Sequence, residues 1–280
     1  MKQLERILQK LIINGTLTEP PGLFFGKTGI VIFFLHYARQ TGNTLYRNYA
    51  MDLIEMIQSQ IAGLSYVRYD VGIAGIGAGF EYLLQNRLLE AEDDDIFEEL
   101  DDRMCRAAMY EPYPNLNLPE GLTGWGRYFI YRMHGNGHKT KKLHEVLVYI
   151  ASEITKKIED KIVLEHEMPD VYRFLYDLTN VPGYEDKYSN VLQKCREWKC
   201  ITELNTQKVF PYLGALQRLY TCQKYFAVDL SNEIGQKWET WKETNHHTSN
   251  DMGLLNGLTS DALLHLTFFH KHAVSWINLL

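Results

Sequence analysis

Cysteine is scarce. Four occur in 280 residues, at positions 105, 195, 200 and 222, too few and too scattered for a disulfide framework, so a reduced intracellular chain is expected. No run of about 18 apolar residues appears, which excludes a membrane span. The first fifteen residues mix Lys, Gln, Glu and Arg among their apolar members and lack the apolar core of a signal peptide. The expected location is the cytoplasm. Positive charge is also short: 29 Lys plus Arg against 35 Asp plus Glu leave a formal charge of -6. With no basic stripe to neutralise a phosphate backbone, nucleic acid is excluded as a partner.

What is plentiful is apolar and aromatic. Hydrophobic residues make up 45%, with 18 Tyr and 12 Phe, enough for a packed interior and too much for a disordered chain. The length lies near the upper limit at which one core serves a whole chain, so residues 1–280 are expected to form a single domain. The one strong charge run is acidic: Glu90, Glu92, Asp93, Asp94, Asp95, Glu98, Glu99, Asp101 and Asp102. It reads as a solvated face around a helix start, where acids complement the dipole. A metal or a basic peptide is the alternative.

Self-similarity fixes the architecture. Four segments align: Gly26-Lys27-Thr28-Gly29-Ile30, Gly72-Ile73-Ala74-Gly75-Ile76, Gly121-Leu122-Thr123-Gly124-Trp125 and Gly257-Leu258-Thr259-Ser260-Asp261. The first three lie 46 and 49 residues apart, and the 136 residues from Gly121 to Gly257 hold three such periods. Two degenerate repeats are therefore expected near positions 166 and 211, the second visible as Pro211-Tyr212-Leu213-Gly214-Ala215-Leu216.

Each glycine pair opens a stretch with helical apolar spacing, such as Ile30, Phe33, Phe34, Tyr37 or Phe80, Leu83, Leu84. These are expected as inner helices. More polar amphipathic stretches between them, Leu45 to Gln60, Ile96 to Tyr110, Lys141 to Ile158, Tyr188 to Trp198 and Val228 to Trp241, are expected as outer helices. A helix at Leu4 to Ile13 has no repeat glycine before it, and the last repeat, from Gly253, has no helix after it. Their pairing closes an all-α, α/α toroid of six helical hairpins.

On Gly72-Ile73-Ala74-Gly75-Ile76-Gly77-Ala78-Gly79-Phe80-Glu81-Tyr82-Leu83-Leu84, Pro119-Glu120-Gly121-Leu122-Thr123-Gly124, Gly253-Leu254-Leu255-Asn256-Gly257-Leu258 and the turn Thr41-Gly42-Asn43 before Tyr46, the sequence resembles the lanthionine synthetase C-like family. The resemblance implies zinc-assisted addition of a cysteine thiol to a dehydrated serine or threonine in a peptide, zinc holding the thiol as thiolate. Its zinc ligands are a cysteine in the fourth repeat and a Cys-His pair in the fifth. This chain has no cysteine between Cys105 and Cys195, and Val209-Phe210-Pro211 stands where Cys-His-Gly falls. A set assembled from Cys195, Cys200, Cys222, His246 and His247 is a poor chelate, the first two pointing apart on a helix. No metal and no cofactor are expected.

The loops before the inner helices should line one mouth of the ring, with helix N-termini exposing N–H groups to it. By repeat position its candidate residues are Lys27, Tyr69, Asp70, Glu120, Trp125, Asp170, Tyr172, Asn250 and Asp251, with helix capping the competing role for Asp70, Asp170 and Asp251. His265, His270 and His272 read as terminal surface. The expected function is a zinc-free member of the resembled family, a peptide-modification or maturation factor binding a peptide or natural-product substrate in the mouth, with enzymatic activity undecided. Two alternatives stand beside it: a glycan hydrolase or lyase using Asp70, Glu120, Asp170 and Asp251 as paired carboxylates, and a noncatalytic interaction module.

Overall fold

The computed structural model describes residues 2–90, 95–135, 141–243, 251–269 and 274–280. These hold thirteen α-helices and no strand. Six helices alternate with the rest as the more buried set: α2 (Lys27–Thr41), α4 (Ile73–Gln85), α6 (Leu122–His134), α8 (Met168–Leu178), α11 (Ala215–Phe226) and α13 (Leu258–Phe269). In α2 every residue from Lys27 to His36 is buried, and in α4 every residue from Ile73 to Leu83. A helix buried all round belongs at the centre of a protein; α2 and α4 are of that kind, and with α6, α8, α11 and α13 they form the inner ring.

The remaining long helices are amphipathic and lie outside: α1 (Lys2–Gly15), α3 (Thr44–Ile61), α5 (Asp95–Tyr110), α7 (Lys141–Glu159), α9 (Glu185–Cys195) and α12 (Ser231–Glu243), with a single turn, α10 (Lys199–Thr202), after α9. Each inner helix packs on an outer one: α2 on α3, α4 on α5, α6 on α7, α8 on α9, α11 on α12 and α13 on α1. Within the ring α13 packs on α2, α2 on α4, α4 on α6 and α6 on α8. The Tyr176 and Tyr225 rings, 5.2 Å apart, link α8 to α11, and Gln217 donates to Ser260 Oγ at 2.7 Å, linking α11 to α13. The all-helical toroid is thus observed. No helix among the described residues is long and apolar enough to cross a membrane.

Local chemistry sets the turns. α2 ends at Gly42, whose φ of 68° is open to glycine at little cost and whose N–H reaches Ala38 O; Asn43 then caps α3, its side chain accepting from Leu45 N. The start of α12 lies at Ser231 rather than Val228 because Asp229 accepts from both the N–H and the hydroxyl of Ser231, making a turn first.

The repeat glycines serve close approach. A Cβ on Gly29, Gly75 or Gly124 would lie 2.7, 1.8 or 2.2 Å from the carbonyl oxygen six residues earlier, that of Leu23, Tyr69 or Leu118. The same Cβ would lie 2.8, 2.9 or 2.8 Å from the Cβ of Leu254, Leu23 or Tyr69, each in the preceding repeat. Each glycine therefore seats its own loop and its neighbour's, and Gly29 does so across the seam between last repeat and first.

Candidate functional site

The loops before the inner helices join one another in a closed ring of hydrogen bonds. Leu255 N–H donates to Phe24 O at 3.1 Å, Phe24 N–H to Asp70 O at 2.8 Å, and Asp70 N–H to Pro119 O at 3.0 Å. Pro119 has no N–H to pass on. Leu118 N–H donates instead to the Asp170 carboxylate at 3.0 Å; Tyr212 Oη donates to the same carboxylate at 2.6 Å, and Asn256 Nδ2 donates to Tyr212 O at 3.1 Å. Asp170 thus replaces a loop carbonyl that the degenerate fourth repeat does not supply. Burial raises its pKa, opposed by the bonds from Tyr212 and Leu118.

The residues read from repeat position fall mostly within this ring. Asp70 is buried, bonded by Arg68 at 2.9 and 2.5 Å and by Val71 N–H at 2.8 Å. Glu120 takes the same guanidinium at 3.2 Å. Lys27 is 1% exposed, its ammonium on Glu19 O and Gln60 Oε1 at 3.1 and 3.2 Å, and burial lowers its pKa. Asp251 accepts from Gly253 N–H at 2.8 Å. Trp125 and Tyr172 are buried, the latter beside Phe226. Asn250, His246, His247, His270 and His272 lie outside the described residues. None of the three aspartates caps its helix in the expected way: Asp70 and Asp251 brace loops, and Asp170 braces the neighbouring repeat.

Tyr69 leads to a feature the sequence did not disclose. Its hydroxyl donates to Leu279 O at 2.9 Å. Residues Val274–Leu279 form a 3-10 turn that packs on α4 and α11. Side chains from most of the inner ring hold this segment on its axis. Tyr82 of α4 bonds Ser275 Oγ at 3.0 Å and is itself bonded to His36 at 2.8 Å; Thr267 of α13 accepts from Trp276 Nε1 at 3.1 Å; Lys224 of α11 donates to Asn278 Oδ1 at 2.9 Å. Arg127 of α6 donates to Asn278 O, and Arg173 of α8 donates to Asn278 O at 3.1 Å and to Leu280 O. Trp276, Leu279 and Leu280 are fully buried.

Beside Asn278, at the C-terminal ends of the inner helices, a cavity of about 350 Å³ opens. Arg127, Tyr131, Tyr176, Asp177, Lys224 and Tyr225 are among its lining. Arg127 pairs with Asp177 at 2.7 Å, and Tyr225 Oη donates to that carboxylate at 3.0 Å. Among the described residues Arg173 makes no ion pair with an Asp or Glu side chain; it lies 4.9 Å from the Tyr225 ring centroid. The Nε atoms of both arginines are buried without a hydrogen-bond partner. Sequence reading missed this pair although a signal existed, since Arg127 and Arg173 are each the sixth residue of an inner helix and interrupt an otherwise apolar stretch.

Two other expectations change. His265 is not terminal surface but buried, its ring 5.0 Å from Trp241 and 5.1 Å from Phe269. The acidic run is not uniformly solvated: Glu98 and Glu99 are exposed, but Asp101 turns inward to Arg132 at 2.9 Å and to Tyr128 Oη at 2.5 Å.

The residues at the fourth and fifth repeats do not fit a zinc ion. Cys195 and Cys222 are buried, burial pushing both thiols up to about 12, and Cys105 to about 11. Half-buried Cys200 has its sulfur 3.9 Å from that of Met168. Glu165, His166, Cys200 and Glu203 border a cavity of about 560 Å³, yet among the described residues no three His, Cys, Asp or Glu side chains are grouped to hold a metal.

The fold and axial site define an α/α toroid with a polar opening at its inner-helix C-termini, the end opposite the loops that carry the residues chosen by repeat position. The solved structure of nisin cyclase is similar over 97% of this chain and 95% of that one, with a TM-score of 0.55 and 13% sequence identity, a likeness of fold. No protein-family model matches the chain, and no curated protein matches its sequence.

Proposed function

We propose that this protein is a cytoplasmic, zinc-independent peptide-binding toroid that takes part in peptide maturation. The observation that carries the reading is the mouth at the inner-helix C-termini. Polar and aromatic groups from α6, α8 and α11 converge there on a cavity of about 350 Å³, within the range of ligand pockets. Nisin cyclase, similar in fold, is by its name a cyclase of nisin, and a peptide is the substrate class that the shared ring suits. Four free cysteines agree with a reducing compartment. Binding rather than thiol activation is favoured, because burial keeps the thiols protonated at neutral pH and no thiolate is at hand.

Carboxylate-pair glycan chemistry draws no support from Asp70, Glu120, Asp170 and Asp251, each of which already accepts from a loop N–H or an arginine. The test is selection of randomised displayed peptides on the purified chain. Recovered peptides should bind the free protein and weaken about tenfold on Tyr176→Ala or Lys224→Ala, the loss of one good contact. Recovery of none, or of peptides indifferent to both substitutions, would sink the reading.

A further inference from the structure

We propose that the axis of the ring is itself a binding site for a short apolar peptide, filled in this structure by the chain's own residues 274–280, which an external peptide must displace. This deepens the peptide-binding reading and rests on it, naming both the seat of the ligand and its built-in competitor.

Three consecutive main-chain oxygens are read by side chains from three repeats. Asn278 O takes Arg127 and Arg173, Leu279 O takes Tyr69, and Leu280 O takes Arg173. Recognition through main-chain groups does not depend on the identity of the side chains, which is how a peptide site accepts more than one sequence. Selectivity comes from the apolar seats. Trp276, Leu279 and Leu280 are all 0% exposed, so a ligand needs a large apolar residue followed, three and four places later, by two more.

The site is also built beyond what its present occupant uses. Two guanidinium groups, 1% and 3% exposed, converge on the main-chain oxygens of this one segment, and the Nε of each is buried without a hydrogen-bond partner. Burying donors that have no acceptor is a costly arrangement for a purely structural contact. It suits a ligand that presents further acceptors to the pair, because bonds from a charged donor are about twice as strong as neutral ones. The occupant itself is a 3-10 turn of six residues, a geometry with poor internal hydrogen bonds. Asn278, partly exposed, borders the open cavity at the inner-helix C-termini, so an incoming chain reaches the segment from that side.

A covalently tethered occupant competes at an effective concentration in the millimolar range. The affinity seen by an external peptide is reduced by the fraction of molecules whose site is open. Deleting 274–280 should therefore raise affinity without adding any contact.

The probe is a fluorescein-labelled, C-terminally amidated peptide with the sequence Val-Ser-Trp-Ile-Asn-Leu-Leu, followed by fluorescence anisotropy. The chain lacking 274–280 should bind one equivalent, the full chain should bind at least about tenfold more weakly, and full-length Trp276→Ala should fall between them. Arg173→Ala in the shortened chain should cost a further tenfold or so. A shortened chain that keeps its helical circular dichroism but does not bind, or that binds regardless of Arg173, overturns the proposal.

If the shortened chain does not fold, hydrogen exchange on the full chain decides. The amides of 275–280 should exchange faster than those of α4 and α6, and faster again in Trp276→Ala; exchange only in step with the inner helices overturns the proposal. Should selected peptides bind full and shortened chains alike, the competitor fails while peptide binding stands. Should none bind either chain, the functional reading fails with it.

Discussion

Changing glycine to alanine at two helical positions should move stability in opposite directions. Gly75 lies in the first turn of α4, where an added Cβ would sit 1.8 Å from Tyr69 O and 2.9 Å from Leu23 Cβ, against an ordinary contact of 3.4–4 Å. The nearer atom belongs to a main chain whose own N–H is committed to Pro119 O in the loop ring. Relief therefore requires α4 to move away from two loops at once. Overpacking of this kind costs about 1–3 kcal/mol or more, and a shift of more than an ångström belongs at the upper end. Alanine's better helix propensity returns about 1 kcal/mol, leaving a net loss of about 2 kcal/mol.

Gly235, within α12, has nothing within 4 Å of the same added atom. Alanine there keeps the propensity gain alone, about 0.5–1 kcal/mol. Urea unfolding followed by circular dichroism should place the midpoint of Gly75→Ala below that of the parent and that of Gly235→Ala above it. A Gly75→Ala protein within about 0.5 kcal/mol of the parent would refute the claim that close approach is what selects these glycines.

Arg132 joins Glu81, 2% exposed, to Asp101 at 2.9 Å, with its guanidinium 4.0 Å from the Phe97 ring centroid. Arg132→Ala removes the ion-pair partner of a buried carboxylate and should cost about 3–5 kcal/mol in urea unfolding, whereas Lys142→Ala, which breaks the exposed pair with Asp102, should cost less than about 1 kcal/mol. Asp261 is raised from 3.8 to about 7, chiefly by burial, with Trp241 opposing. Between those values the folded state holds a proton that the unfolded state has released, so its contribution is present below pH 4 and is lost as pH rises to 7. Asp261→Asn should flatten that slope and stabilise the protein at pH 7.5, by no more than about 4 kcal/mol; an unchanged slope would mean the carboxyl is solvated.

The repeat was legible because glycine at a fixed spacing is a local signature of close backbone approach. Gly29, Gly75 and Gly124 marked three inner helices correctly, spacing with the surviving Gly214 pointed to α11, and spacing pointed to α8, where the glycine signature is lost. The amphipathic stretches between them marked the outer helices, although the ends of α9 and α12 shifted where local turns intervened. Candidate chemistry was less legible. Asp70 and Asp170 were picked out as acids at a ring's mouth, but an acid beside a helix start reads the same whether it faces a ligand or a neighbouring N–H. The difference lies in Pro119, whose missing donor sends Leu118 N–H to Asp170.

Composition, period and apolar spacing thus determined by themselves that the chain is an all-helical ring of six hairpins, because those patterns follow from contacts between residues close in sequence or one repeat apart. Only the tertiary structure decided what occupies the centre. Tyr69, Tyr82, Arg127, Arg173, Lys224 and Thr267 meet Ser275 to Leu280 across sequence separations as large as 210 residues. No periodicity relates the lining of a ring to a single segment threaded along its axis, so that pairing exists only once the ring has closed.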